Sequence, residues 1–189
     1  MKNGNPFKAY ITDLDGTLFD TLEANLISYK KAFEDAGIYF NAKLYRENFG
    51  LRFNEMIQIL APSIEPDKIE IIKQKKAIYY KKNINLIKPN ILILDLLEKA
   101  RHNNIKTALV TTAREKNAMT ILNHFESDRL FNILIFGEQV SKSKPDPECY
   151  KLAITSLSVK SNECLVFEDT NIGVEAARSA GAHVLKVII

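Results

Sequence analysis

Short β-prone runs alternate with helical stretches along most of this chain, and that alternation is what most limits its fold. The runs are KAYIT (8–12), KTALVT (106–111), NILIF (132–136), CLVFE (164–168) and HVLKVI (183–188). Helical stretches fill the intervals at about 91–103, 115–124, 148–157 and 171–180. Strands separated by helices pair in parallel, so the expected class is α/β: a Rossmann-like, mostly parallel sheet flanked by helices. One interval breaks the pattern. After the first run, residues 21–88 are helical throughout. LEANLISYKKAFEDAG places Leu22, Leu26, Tyr29 and Phe33 three and four residues apart, with Gly37 where a helix stops. Further helical stretches follow near 43–48, 53–61 and 66–82, punctuated by Pro62 and Pro66. The expectation is a core domain built from 1–20 and 89–189, with a helical cap domain, 21–88, inserted after the first strand.

Ligands of a parallel sheet bind beyond the carboxyl ends of its strands, so the residues after each run are the first candidates for a site. Asp13 and Asp15 follow the first run, Thr111 and Thr112 close the second, Lys144 lies beyond the third, and Glu168 and Asp169 end the fourth. Asp13, Asp15, Glu168 and Asp169 offer oxygen donors without His or Cys, a set that suits Mg²⁺ better than Zn²⁺. Lys144 would balance phosphate charge and the Thr111 hydroxyl would donate to a phosphate oxygen. Gly16 and Thr17 could leave backbone N–H groups free as a small anion nest. A carboxylate can attack phosphorus and form an aspartyl-phosphate, provided a metal quenches the repulsion between the two anions. Asp13 as nucleophile and Asp15 as general acid/base fit that chemistry.

Four segments in this order resemble the signature motifs of the haloacid dehalogenase (HAD) superfamily, over nearly the whole chain. They are DLDGTLFD (13–20), ALVT ending at Thr111, SKPDP with Lys144–Pro145, and VFEDTNIGVEAARSAG with Glu168–Asp169. The helical insertion resembles the β-phosphoglucomutase-like branch with its small helical cap. The resemblance implies that Asp13 is nucleophile and metal ligand, and that Asp15 is acid/base and binds the metal through its carbonyl. It implies that Thr111 and Lys144 hold phosphate, that Asp169 ligates Mg²⁺, and that Glu168 does so directly or through water. Dehalogenase members lack the second acid, so Asp15 points to phosphate esters with an alcohol leaving group.

The expected activity is therefore a phosphatase acting on a small phosphorylated metabolite such as a sugar phosphate. The alternatives are a β-phosphoglucomutase-like phosphomutase and a non-catalytic binding protein on the same frame. Thr21, after the acid Asp20, suits the mutases, yet their cap histidine is replaced here by Asn25. Arg52, in FGLRFNE (49–55), resembles a cap arginine one position out of register, and Asn117 is a further candidate for substrate contact. KPN (88–90) has Asn90 where the family usually has glycine, and the sequence stops at VLKVII where relatives usually continue through another loop and helix.

Composition narrows the partners. Net charge is only +3, which gives no reason to expect nucleic acid. The helical segment holds 12 Lys/Arg against 8 Asp/Glu, five of the lysines in KQKKAIYYKK (73–82), a pattern that reads first as a solvated helix face. MKNGNPFKAY lacks a signal-peptide core and no window is apolar enough for a membrane span. Cys149 and Cys164 form no CxxC pair, so a reduced, cytoplasmic setting is expected; the expected assembly is a monomer or weak dimer.

Overall fold

A computed structural model describes residues 6–189. The opening MKNGN, where part of the signal-peptide reading falls, lies outside the described residues. In chain order the elements are β1 (Ala9–Thr12), β2 (Phe19–Asp20), α1 (Leu22–Asp35), α2 (Ala42–Glu47), α3 (Phe53–Leu60), α4 (Pro66–Lys82) and β3 (Lys88–Pro89). Then come α5 (Ile91–His102), β4 (Lys106–Val110), α6 (Glu115–His124), β5 (Ile133–Ile135), α7 (Glu148–Ser156), β6 (Cys164–Glu168), α8 (Asn171–Ser179) and β7 (His183–Lys186). The chain divides into two compact units, residues 1–19 with 89–189 and residues 20–88.

The first unit is a sheet of five strands among the described residues, in the order β5-β4-β1-β6-β7. Every adjacent pair runs parallel, as the alternation predicts. β1 is the central strand: Ile11 stands opposite Ala108 on one side and Val166 on the other. All four residues of β1 are buried, as expected of a parallel strand covered on both faces. Ile11, Val110, Val166, Tyr150 and Ala153 belong to one buried cluster, which ties α7 to the sheet. Succession reverses around β1, with β4 and β5 to one side and β6 and β7 to the other. That reversal opens a crevice at the carboxyl end of β1, where Asp13 begins. β2 and β3, which sequence patterning does not reveal, pair with each other as a separate two-stranded sheet.

The second unit is helical. Its core gathers Tyr29 and Phe33 of α1 with Tyr45, Met56, Ile57 and Ile72, and Tyr29 and Tyr45 pack with ring centroids 5.0 Å apart. Most of the lysine-rich stretch is the solvated face its charge suggests: Lys73 pairs with Glu70 and Lys75 with Asp35. Lys76 departs from it. Its side chain is buried, with the ammonium 4.4 Å from the Tyr80 ring centroid and 5.3 Å from that of Tyr29. Ile72, fully buried in α4, is a test of this core. Ile72→Ala should lower unfolding free energy by about 2–5 kcal/mol, through lost transfer energy and the cavity left behind; denaturant melts read the change.

Candidate active site

The carboxyl edge of the sheet assembles side chains from three loops. Asp13 directly follows β1, and its N–H continues the ladder by donating to the Phe167 carbonyl at 3.0 Å. The Asp13 side chain is held at the sheet edge, almost wholly buried. Lys144 arrives on the loop between β5 and α7, next to a cis Lys144–Pro145 peptide. Its ammonium donates to Asp13 Oδ1 at 2.6 Å and to Glu168 Oε1 at 2.5 Å. Glu168 is the last residue of β6 and Asp169 the first beyond it. Thr170 then caps α8, its hydroxyl accepting from the Gly173 N–H at 3.1 Å.

The remaining candidates line the same edge or lie elsewhere. Thr111 is buried immediately after β4, and its Oγ1 accepts from the Ala113 N–H at 3.0 Å, so its own proton points elsewhere. Thr112 follows, half-buried; a Cβ at Gly137 would overlap its carbonyl, so only glycine allows that approach. Asp15 is half-buried in the turn after Asp13, bridged to Phe19. Asn117 sits in the first turn of α6, its N–H bonded to the Arg114 carbonyl at 2.9 Å. Asn25 and Arg52 belong to the second unit. Asn25 is buried in α1 and donates its amide to the Thr21 carbonyl at 3.2 Å. Arg52 precedes α3, where Glu55 Oε2 accepts its backbone N–H at 3.1 Å. Geometry therefore joins Asp13, Lys144, Glu168 and Asp169 directly, with Thr111 at the end of the neighbouring strand.

Gly16 has φ +88°, a left-handed conformation, and a Cβ there would overlap the Asp169 carboxylate. Gly16, expected to leave its N–H free for an anion nest, instead donates it to the Phe19 carbonyl at 2.8 Å, and the Thr17 hydroxyl donates to Asp169 Oδ1 at 3.2 Å. The tight turn thus aims Asp169 at Asp13. Gly16→Ala should cost about 1–3 kcal/mol of stability and most activity, because the strained φ and the overlap act together. Thermal melts and turnover of the same preparation check it.

One oxygen each from Asp13, Glu168 and Asp169 lie within 4.8 Å of one another. The carboxylate of Asp15 stands outside that trio. Three carboxylates, two of them buried, face the Lys144 ammonium, so that ionised together they exceed it by two charges. The acids respond accordingly. Burial, then the Glu168 charge, raises Asp169 to about 6. Burial raises Asp13 well above the carboxylate range, with Glu168 and Asp169 adding to it against the pull of Lys144. Burial alone would lower the Lys144 ammonium, but Asp13 and Glu168 outweigh it and hold the lysine charged. An all-oxygen trio with a two-charge deficit fits a hard divalent cation.

Tyr150, absent from the sequence reading, is fully buried in α7 and donates to Glu168 Oε1 at 2.5 Å. A signal for it exists. A tyrosine on a helix face shared with Cys149, Ala153 and Ile154 must bring its hydroxyl to a buried partner.

Comparison with known proteins finds relatives that match over nearly the whole chain. The profile of the haloacid dehalogenase-like hydrolase family matches residues 10–187. A phosphorylated carbohydrates phosphatase of Thermotoga maritima is 35% identical over 92% of this chain and 82% of its own length. The beta-phosphoglucomutase of Bacillus subtilis is 28% identical over 95% of this chain and 83% of its own. Among solved structures, CbbY from Rhodobacter sphaeroides in complex with phosphate superposes with a TM-score of 0.87 at 25% identity, covering 97% of this chain and 87% of that one.

Proposed function

The chain belongs to the haloacid dehalogenase-like hydrolases, an enzyme family, and from that membership we propose that it is a Mg²⁺-dependent phosphatase of small phosphorylated metabolites, sugar phosphates foremost. The observation that carries the reading is the convergence of Asp13, Lys144 and Asp169 from three separate loops onto one point. In this reading Asp13 attacks phosphorus, the P–O bond to the alcohol breaks, and Asp15 gives the leaving oxygen its proton. Asp15 then takes a proton from water as that water attacks the aspartyl-phosphate, which frees phosphate and restores Asp13. Lys144 and the hydroxyls of Thr111 and Thr112 hold the phosphoryl oxygens. Asp13 and Asp169 would hold Mg²⁺, with Asp15 through its carbonyl and Glu168 directly or through water. When bound, the ion supplies the charge that lets a carboxylate approach an anionic phosphoryl group.

The helical unit, residues 20–88, is the proposed source of substrate selectivity, with Asn25 and Arg52 as its candidate contacts. Cytoplasmic location belongs to the same proposal, supported by the buried free thiols Cys149 and Cys164. None of the described helices is long and apolar enough to cross a membrane. The enzyme family leaves the scaffold alternative without support.

Phosphate release should be detected from sugar phosphates within a panel that also holds nucleotides and short acid phosphates, and EDTA should abolish it. Silence across the panel with Mg²⁺ present would defeat the proposal. A mutase reading draws support from the Bacillus subtilis relative. With Asn25 unable to shuttle a proton, glucose 1-phosphate plus an activating bisphosphate should yield free phosphate. Isomer without phosphate would favour the mutase.

A further inference from the structure

Glu168 is held from every side. Its Oε1 accepts from Lys144 and from the Tyr150 hydroxyl, both at 2.5 Å. Its Oε2 faces the Thr170 N–H at 3.4 Å and the Thr170 hydroxyl at 3.3 Å. A Cβ at Gly173 would overlap the whole carboxyl head, so the backbone of α8 closes on it. Two oxygens offer about four acceptor directions, and protein donors meet all of them. Asp169 differs, since its side chain meets only the Thr17 hydroxyl at 3.2 Å and its own backbone N–H among the described residues. The two adjacent acids are therefore not equivalent as ligands.

The Tyr150 ring lies against the same ammonium, 5.2 Å from centroid to Nζ. Lys144 has three N–H donors; Asp13 and Glu168 take one each, and the third remains for a phosphoryl oxygen. If Glu168 turned away, Lys144 would be left with Asp13 alone and would tie up the nucleophile.

We propose that Tyr150 is a positioning residue: its hydroxyl fixes Glu168 on Lys144, so that Asp169 serves the cation and Glu168 serves the lysine. Glu168 then meets Mg²⁺ through water and is not a direct ligand. This inference rests on the phosphatase reading for its kinetic consequence, and on geometry alone for its effect on metal binding.

Tyr150→Phe tests it, because the ring, its packing and its face toward Lys144 survive while one donor is lost. Calorimetric titration with Mg²⁺ alone should show tighter binding by about tenfold, as a freed Glu168 oxygen reaches the ion. In the same variant kcat/KM should fall about tenfold, with the thermal midpoint nearly unmoved. Glu168→Gln, which keeps the shape of the side chain, should weaken Mg²⁺ binding by about 10–100-fold, the cost of losing a group that acts on the ion through an intermediary. A purely structural Tyr150 would lower the thermal midpoint of Tyr150→Phe and leave Mg²⁺ affinity where it was, and that result would overturn the proposal. So would a loss well beyond about 100-fold in Mg²⁺ affinity for Glu168→Gln, more than an outer residue costs. If the wild type releases no phosphate and Tyr150→Phe still tightens Mg²⁺, the phosphatase reading fails and the positioning role stands.

Discussion

Asp13→Asn leaves a folded protein that turns over no substrate. The amide keeps the shape of the carboxylate and an oxygen to accept from Lys144, whose ammonium lies 2.6 Å from Asp13 Oδ1. An amide does not attack phosphorus, so phosphate release should drop by at least about 10³-fold, the scale of losing a nucleophile. Stability should move the other way. Burial raises the Asp13 acid in the folded state, so the folded chain holds that proton more tightly than the unfolded one. Stability is therefore lost as pH rises from the unfolded toward the folded value, and that loss is already felt at neutral pH. Asparagine removes that cost. In EDTA the melting temperature of Asp13→Asn should equal or exceed that of the wild type; full activity, or a clear fall in midpoint, would contradict the assignment.

Lys144→Ala produces the opposite pairing, an inactive and weakened protein. Lys144 is buried between Asp13 and Glu168, and both ion pairs are nearly closed to solvent. Removing its charge leaves two buried carboxylates facing each other and Asp169. Breaking a buried pair from one side costs about 3–5 kcal/mol, which for a chain of this size is a fall in melting temperature on the order of 10 °C. Turnover should vanish too, because the phosphoryl oxygens lose their charged donor. A Lys144→Ala protein as stable as the wild type would mean that the ammonium does not offset the acids.

The fold was legible because its signal is periodic. Strands at 106–110 and 164–168 and helices at 66–82 and 115–124 fall where apolar spacing and proline or glycine punctuation set them. β2 and β3 carry no such signal, since two residues each are too few for a period and the pairing depends on tertiary contact. Asp13, Lys144 and Asp169 were legible as strand-end residues because a parallel sheet sends every strand end to one edge. Tyr150 was hidden for the opposite reason: it projects from a helix whose pattern announces only burial, and its partner is eighteen positions away. Lys76 shows the converse. Its charge predicted solvent, but the rings of Tyr29 and Tyr80 cover it.

The placement of β1 also bears on the order in which the molecule assembles. Its hydrogen-bonding neighbours begin at Lys106 and Cys164, so as the chain leaves the ribosome its first strand waits for partners made much later. Residues 20–88 are one uninterrupted stretch, and local contacts close faster than distant ones. The helical unit can thus form during synthesis, while Asp13 gains its surroundings only after β6 has emerged.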